Sequence, residues 1–256
     1  MEGNNRAEAH TAMYMRILKL LIMGRKSEFE STNRNPAEIY LEWSSENKCL
    51  KYYDKEAEEN KLIKLPFTFL CLAERTTVKG FDMNAQRGIY ANEVQTLKEP
   101  LEVKNFAGGS IAKGIWKDIS AQVDRAGGKF AKSIYAMTKK GTMINIALFG
   151  GSVGEWFEFT KKSKSRLTDE WVTITGVEER KKGATTYYVP VFAYNKSLTD
   201  DEAKKADDLY DVFEAFEKEP SPRKQEADAY VSDEFEPTTN GTGETYSEVE
   251  KNDAPF

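Results

Sequence analysis

The sequence predicts a mainly β-fold with peripheral helices, followed by a disordered acidic C-terminal tail. Segments rich in β-branched and aromatic residues recur over most of the chain, and glycine-containing turn signals separate them. From Glu219 onward Pro, Ser, Thr, Gly, Asp and Glu dominate, and the few aromatic residues show no period. Such a composition is typical of a segment that buries too little apolar surface to fold. We therefore expect one folded domain and a solvated tail among the 256 residues.

Nine segments have the composition of β-strands, and a hairpin follows them. The segments are 14–23, 39–43, 50–53, 62–74, 88–95, 101–106, 111–117, 130–138 and 142–149. Glycine turn signals occur at Gly108-Gly109-Ser110, Gly127-Gly128-Lys129 and Lys139-Lys140-Gly141. The hairpin joins 171–180 to 185–194 through a basic loop. Its exposed tip would carry Lys181 and Lys182, where they could contact phosphate.

Two helices are expected on the C-terminal side of the domain. Residues 152–162 have apolar side chains at helical spacing and end in lysines, which favour the C-terminal end of a helix dipole. The second helix, 199–218, begins with a capping box in which Thr199 and Glu202 satisfy each other's backbone N–H groups. The pattern assigns three aromatic residues to the core: Trp156, Phe157 and Phe213.

These elements predict four parts of the chain. They are a disordered lead (1–12), a β-domain (13–198), a closing amphipathic helix (199–218) and the acidic tail (219–256). About five main strands plus extra hairpins fit a barrel or half-barrel. Among small β-folds, the oligonucleotide-binding fold is the leading candidate for this domain.

The charge is strongly segregated along the chain, although the net charge is only −5. Residues 200–256 hold 18 acidic and six basic residues, a net charge of −12. Subtraction from the totals of 42 and 37 leaves 24 acidic and 31 basic residues in 1–199, a net charge of +7. The basic part of the chain, residues 1–199, is termed the body. Its charge is compatible with a polyanionic partner, whereas the net charge of the whole chain would argue against such a partner.

Several classes of protein are disfavoured by what the sequence holds. Cys49 and Cys71 are far apart, so neither a disulfide framework nor a Cys-x-x-Cys site is expected. The single histidine, His10, lies in a polar stretch and predicts neither a metal site nor a catalytic base. We expect no metal, no cofactor and no enzymatic activity. The apolar run 17–23 is too short for a membrane span and no cleavage site follows it, so a soluble cytoplasmic protein is expected.

Aromatic residues with basic neighbours are the candidate binding residues, because single-stranded nucleic acid needs π-faces for stacking and cations along its backbone. The main window contains Phe106, Lys113, Trp116, Lys129, Phe130, Lys132, Tyr135 and Lys139. The second contains Lys79, Phe81, Arg87 and Tyr90, and the third contains Lys181, Lys182 and Tyr187. Core packing is the alternative for each ring. Along 130–138, Lys132 and Ile134 should share one face of a strand and Tyr135 and Met137 the other.

The end of the chain carries a recognisable motif, Asp253-Ala254-Pro255-Phe256. It resembles the acidic, Pro-Phe-terminated tip of bacterial and phage single-stranded DNA-binding proteins. Ala254 departs from that pattern, since a larger aliphatic residue is usual there. The resemblance implies that the tip docks replication, recombination or repair proteins and that the acidic tail competes with DNA for the basic domain.

A second resemblance lies in Val78-Lys79-Gly80-Phe81 and in the segment from Gly88 to Val94. Both are similar to segments of single-stranded DNA-binding proteins from large tailed phages. Together with the tip they comprise 15 of the 256 residues. They imply a diverged, phage-encoded protein that binds and protects single-stranded DNA.

Two alternatives from other classes stay open. Glu102 and Lys104 on one strand, with Asp82 upstream, imitate the acidic and lysine residues of a Mg²⁺-dependent nuclease. A phage virion or scaffold-type interaction protein would also explain an acidic tail. The sequence does not determine the oligomeric state, and pairing of sheet edges into a homo-oligomer is one alternative.

Overall fold

A computed structural model of the protein describes residues 35–218. The predicted lead (1–12), the first predicted strand (14–23) and the tail (219–256) with its tip lie outside the described residues. Within residues 35–218, none of the helices has the length and apolar character needed to cross a lipid bilayer.

The described chain is mainly β, which confirms the predicted class. Its strands are β1 (Ile39–Ser44), β2 (Cys49–Asp54), β3 (Glu59–Ile63), β4 (Phe67–Asp82), β5 (Arg87–Ala91), β6 (Leu101–Asn105), β7 (Ser110–Gly114), β8 (Gly128–Thr138), β9 (Met143–Phe149), β10 (Glu170–Lys182) and β11 (Thr185–Ser197). Its helices are α1 (Trp116–Arg125), α2 (Gly151–Lys161), a short 3-10 helix (Lys164–Arg166) and α3 (Asp200–Lys218).

All eleven strands belong to one sheet, whose main path runs β3-β2-β1-β9-β8-β4-β5-β6-β7. Neighbours are antiparallel except for β1 and β9, which are parallel. β4 is long enough to pair twice along one edge: Phe67–Phe69 with β10, and Lys79–Asp82 with β5. β10 and β11 form the predicted hairpin, with a register that extends to Lys182 opposite Thr185.

The sheet is open, and the predicted oligonucleotide-binding barrel is not confirmed. Side chains of β1 and of the turn after it bridge to β11 in place of a strand ladder. Trp43 Nε1 donates to the Tyr188 carbonyl oxygen at 3.0 Å, and the Tyr188 N–H donates to Ser45 Oγ at 2.7 Å. Two such hydrogen bonds hold the hairpin against the turn without removing the free strand edges.

Helices cover both sides of the sheet. One side is covered by α1 and α2 and is termed the helix-pair face; there Ile134 of β8 lies in a core with Trp156 of α2. On the other side, termed the α3 face, Tyr135 packs against Phe213 of α3 with ring centroids 4.4 Å apart. The alternation predicted for this strand is therefore correct. Trp156 and Phe213 are buried as expected, but Phe157 is 36% exposed, so its assignment to the core was wrong.

Three local features differ from the expected pattern. The segment 62–74 is split at Pro66, which has no N–H for a sheet ladder, so β3 ends before it and β4 begins after it. The predicted strand 111–117 ends at Gly114, and α1 begins at Trp116. This helix buries only Ile119 and Val123, one turn apart, and so short an apolar stripe gives a weak helical signal.

A basic and aromatic face of the sheet

The last residues of β4 together with β5, β6 and β7 form one end of the sheet. On the helix-pair face, Val78, Ile89 and Val103 pack against Ile119 and Val123 of α1. Because side chains alternate along a strand, the neighbours of these core residues project to the opposite side. That side carries the basic-aromatic face, which consists of Lys79, Phe81, Tyr90, Lys104, Phe106 and Lys129. Lys129 is exposed and the other five are half-buried.

Strand register aligns four of these residues in one row across the sheet. The row runs from β8 through β4 and β5 to β6, and its members in that order are Lys129, Lys79, Tyr90 and Lys104. Neighbouring strands are about 4.8 Å apart, so each lysine next to Tyr90 lies one strand spacing from it. The row therefore presents an aromatic ring with a cation on either side.

A second ring enlarges the aromatic surface at Tyr90. The ring of Phe106 lies against that of Tyr90, with centroids 5.1 Å apart and planes inclined at 32°. The Phe106 N–H donates to the Gly88 carbonyl oxygen at 3.0 Å, which ties the residue after β6 to β5. Since the rings pack against each other, they form one aromatic cluster whose accessible part could stack on a base.

One carboxylate lies beside these cations. Glu102 of β6 is 3.3 Å from Lys104 Nζ and 3.7 Å from Lys113 Nζ on β7. The hydrogen bond from Lys104, together with the charges of both lysines, lowers the pKa of Glu102 below its ordinary value. Glu102 is therefore ionised at neutral pH and offsets one positive charge at this edge of the face.

Two predicted binding residues are buried, and their assignment is corrected. Tyr135 is 0% exposed; its hydroxyl donates to Glu93 Oε2 at 2.8 Å and accepts from Asn35 Nδ2 at 2.9 Å. Lys132 is 6% exposed, and its ammonium lies 3.4 Å from the Glu74 carboxylate. Both lie in the middle of the sheet, where helices cover each side, so neither can meet a strand of DNA in this structure.

Four others of the predicted set lie on the helix-pair face or within a structural contact. Trp116 and Phe130 pack together on the helix-pair face, with ring centroids 5.2 Å apart. Arg87 alternates with Gly88 and so projects to that side as well. Lys139 Nζ lies 3.4 Å from the Trp171 ring centroid, and burial is the largest cause that lowers its pKa.

The hairpin tip does not join the basic-aromatic face. Lys181 and Lys182 are exposed, as predicted, and Lys181 Nζ lies 3.7 Å from Glu179. Tyr187 packs near Gly151 at the start of α2. Because β10 pairs with the first residues of β4 and the face is built on its last residues, the third window is separate from the second.

The carboxylates of the nuclease alternative do not converge. Asp82 Oδ1 accepts the N–H groups of Asn84 and Ala85 and thereby holds the β4–β5 turn. Asp82 alternates to the helix-pair face, whereas Glu102 lies on the opposite side, beyond Tyr90 along the sheet. No group of three or more metal-ligating residues is present between residues 35 and 218.

Lys104 lies on the basic-aromatic face, although the sequence pattern placed it only in the nuclease alternative, and Gly88 was noted only as part of a motif. The position of Lys104 next to Tyr90 depends on the β5–β6 register, which the order of residues does not display. Alternation with Val103, which is fully buried, was the one local signal that could have placed Lys104 on an outer face.

Comparisons with known proteins give no assignment: no protein-family model, no curated protein and no solved structure matches this chain. Function is therefore inferred from the geometry of the face and from the two motif resemblances.

Proposed function

We propose that this protein binds single-stranded DNA with little sequence preference through its basic-aromatic face, in phage DNA replication, recombination or repair. The observation that carries the proposal is the row in which Tyr90 stands between Lys79 and Lys104, with the Phe106 ring against it. The tip Asp253–Phe256 would recruit partner proteins, as its resemblance implies. The proposal does not depend on a closed barrel.

The chemistry of the face fits this ligand. A base stacked on an aromatic ring contributes about 1–3 kcal/mol, and it does so for any base because every base has a π-face. Lysine ammonium groups contact the phosphates as point charges and make the affinity depend on salt. Duplex DNA keeps its bases stacked on one another, so an open sheet surface with partly exposed rings favours the single strand.

The test is a fluorescence titration with poly(dT) and with duplex DNA at several salt concentrations. We expect a clear preference for poly(dT), and we expect Tyr90→Ala to weaken that binding about tenfold through loss of one stacking surface. Tyr210→Ala is the matched control, because Tyr210 is 41% exposed on α3, away from the face. Equal affinity for both DNA forms would refute the function. Equal losses in the two variants would refute the site.

A further inference from the structure

Gly88 lies directly beneath the Phe106 ring. A Cβ atom placed on Gly88 would come within 2.1 Å of Phe106 Cε2 and 2.3 Å of Cδ2. The three nearest atoms to that position all belong to the ring, and none belongs to the backbone. A side chain at position 88 would therefore displace the ring.

Other contacts locate Phe106 from different directions. Its N–H is bonded to the Gly88 carbonyl oxygen, and its ring rests against Tyr90. The loop that follows is held by Asn105, whose carbonyl oxygen accepts from Gly108 N–H at 2.8 Å and whose Oδ1 accepts from Gly109 N–H at 2.9 Å. With the backbone fixed in this way, the absence of a Cβ at Gly88 determines how closely the Phe106 ring approaches β5.

We infer that Gly88 is a positioning residue for the binding of single-stranded DNA: it lets the edge of the Phe106 ring approach β5 closely, so that Phe106 packs against Tyr90 and the two rings form one aromatic cluster for base stacking. This inference rests on the proposed function. A ring that is held in place before the ligand arrives loses little conformational freedom on binding. Packing an aromatic ring over a strand glycine also stabilises a sheet, so a purely structural role is the competing explanation.

A double-mutant cycle separates the two explanations. We would measure the affinity for poly(dT) of Gly88→Ala, Phe106→Ala and the double variant by titration, together with their unfolding in urea. We expect Gly88→Ala and Phe106→Ala each to weaken binding at least about fivefold. The double variant should bind as Phe106→Ala does, because Gly88 acts only through the ring.

Gly176→Ala is the matched control, since Gly176 also lies in a strand and a Cβ there would meet no atom within 4 Å. It should bind poly(dT) as the wild-type protein does. Circular dichroism would establish that each variant is folded. If Gly88→Ala alone fails to fold, the double variant decides, because removal of the ring leaves room for the new methyl group.

Each remaining outcome overturns the inference. Wild-type affinity in a folded Gly88→Ala variant, or in Phe106→Ala, would mean that the ring position does not matter for binding. A double variant that binds more weakly than Phe106→Ala would mean that Gly88 acts by another route. These results leave the proposed function intact if Tyr90→Ala still weakens binding, whereas a wild-type protein that does not bind poly(dT) refutes both.

Discussion

Tyr90 and Tyr135 illustrate, at the scale of single residues, why residue type does not determine a binding role. Both lie on strands, and both project to the α3 face of the sheet. Phe213 of α3 covers Tyr135, and the Tyr135 hydroxyl forms hydrogen bonds with Glu93 and Asn35. Tyr90 keeps a half-exposed ring between two lysines. The first is expected to contribute to stability and the second to binding.

Tyr135→Phe is accordingly expected to lower the free energy of unfolding by about 1–2 kcal/mol, because it removes two buried hydrogen bonds of one hydroxyl group. The affinity for poly(dT) should be unchanged. Urea unfolding and the DNA titration measure the two quantities. Tyr90→Phe serves as the control, since it deletes a hydroxyl on the basic-aromatic face and should alter neither quantity. Weakened binding by a Tyr135→Phe protein of full stability would show that the buried assignment is wrong.

At the scale of elements, α3 has a capping box at its start and is fastened to the sheet near its end. At its start, Thr199 N–H donates to Glu202 Oε2 at 3.0 Å and Glu202 N–H donates to Thr199 Oγ1 at 3.3 Å, which completes the capping box. At its end, Arg75 Nε donates to Glu217 Oε1 at 2.6 Å, and the guanidinium lies 4.9 Å from the Phe213 ring centroid. The helix therefore covers the middle of the sheet in a defined position.

The capping box predicts a dependence of stability on pH. The backbone hydrogen bond from Thr199 is the largest cause that lowers the pKa of Glu202 from 4.5 to about 2. Because the pKa is lower in the folded state, the ionised carboxylate stabilises the protein above pH 4.5, and this contribution is lost as the pH falls toward 2. Glu202→Gln keeps an acceptor for Thr199 N–H but removes the titration.

We therefore expect Glu202→Gln to lose less stability than the wild-type protein between pH 4.5 and pH 2, as measured by urea unfolding at a series of pH values. Asp207→Asn makes the same charge change at an exposed position of the same helix and should lose as much stability as the wild-type protein. An unaltered pH profile in Glu202→Gln would contradict the assignment.

At the scale of the whole molecule, charge is divided between a basic body and an acidic C-terminal part. The described chain ends at Lys218, one residue after Glu217, which pairs with Arg75. Arg75 and Lys79 project to the same side of β4, four residues or about 13 Å apart along the strand. Glu217 therefore lies on the same side of β4 as the basic-aromatic face. Residues 219–256, which follow in the sequence, hold ten acidic and three basic residues.

Deletion of 219–256 is expected to tighten the binding of poly(dT) at low salt, because it removes a net charge of −7 that can compete with phosphate. Screening should shrink the difference between the full and truncated chains as salt approaches 1 M, where the Debye length is about 3 Å. The control is a chain that ends at Asn252, which retains nine of the ten acidic residues of that segment. Equal affinities of the full and truncated chains at low salt would refute competition by the tail.

Features set by local pattern could be predicted from the sequence alone. Most of the strands follow runs rich in β-branched and aromatic residues, and α3 begins where Thr199 and Glu202 form a capping box. The charge division is a property of composition. Lys79, Phe81, Tyr90 and Phe106 were selected because aromatic and basic residues are neighbours there in the sequence. Each of these signals acts over a few residues, so no tertiary contact is needed to read it.

Burial and register were decided only by the tertiary structure. Tyr135 and Lys132 lie where helices cover the sheet, and no local pattern reports which half of a strand a helix from elsewhere in the chain will cover. The register of β6 with β5 places Lys104 next to Tyr90 on the basic-aromatic face. The sheet is open where β11 contacts β1 and the turn after it through side-chain hydrogen bonds. These outcomes depend on contacts between residues far apart in the chain, whose geometry the order of residues does not display.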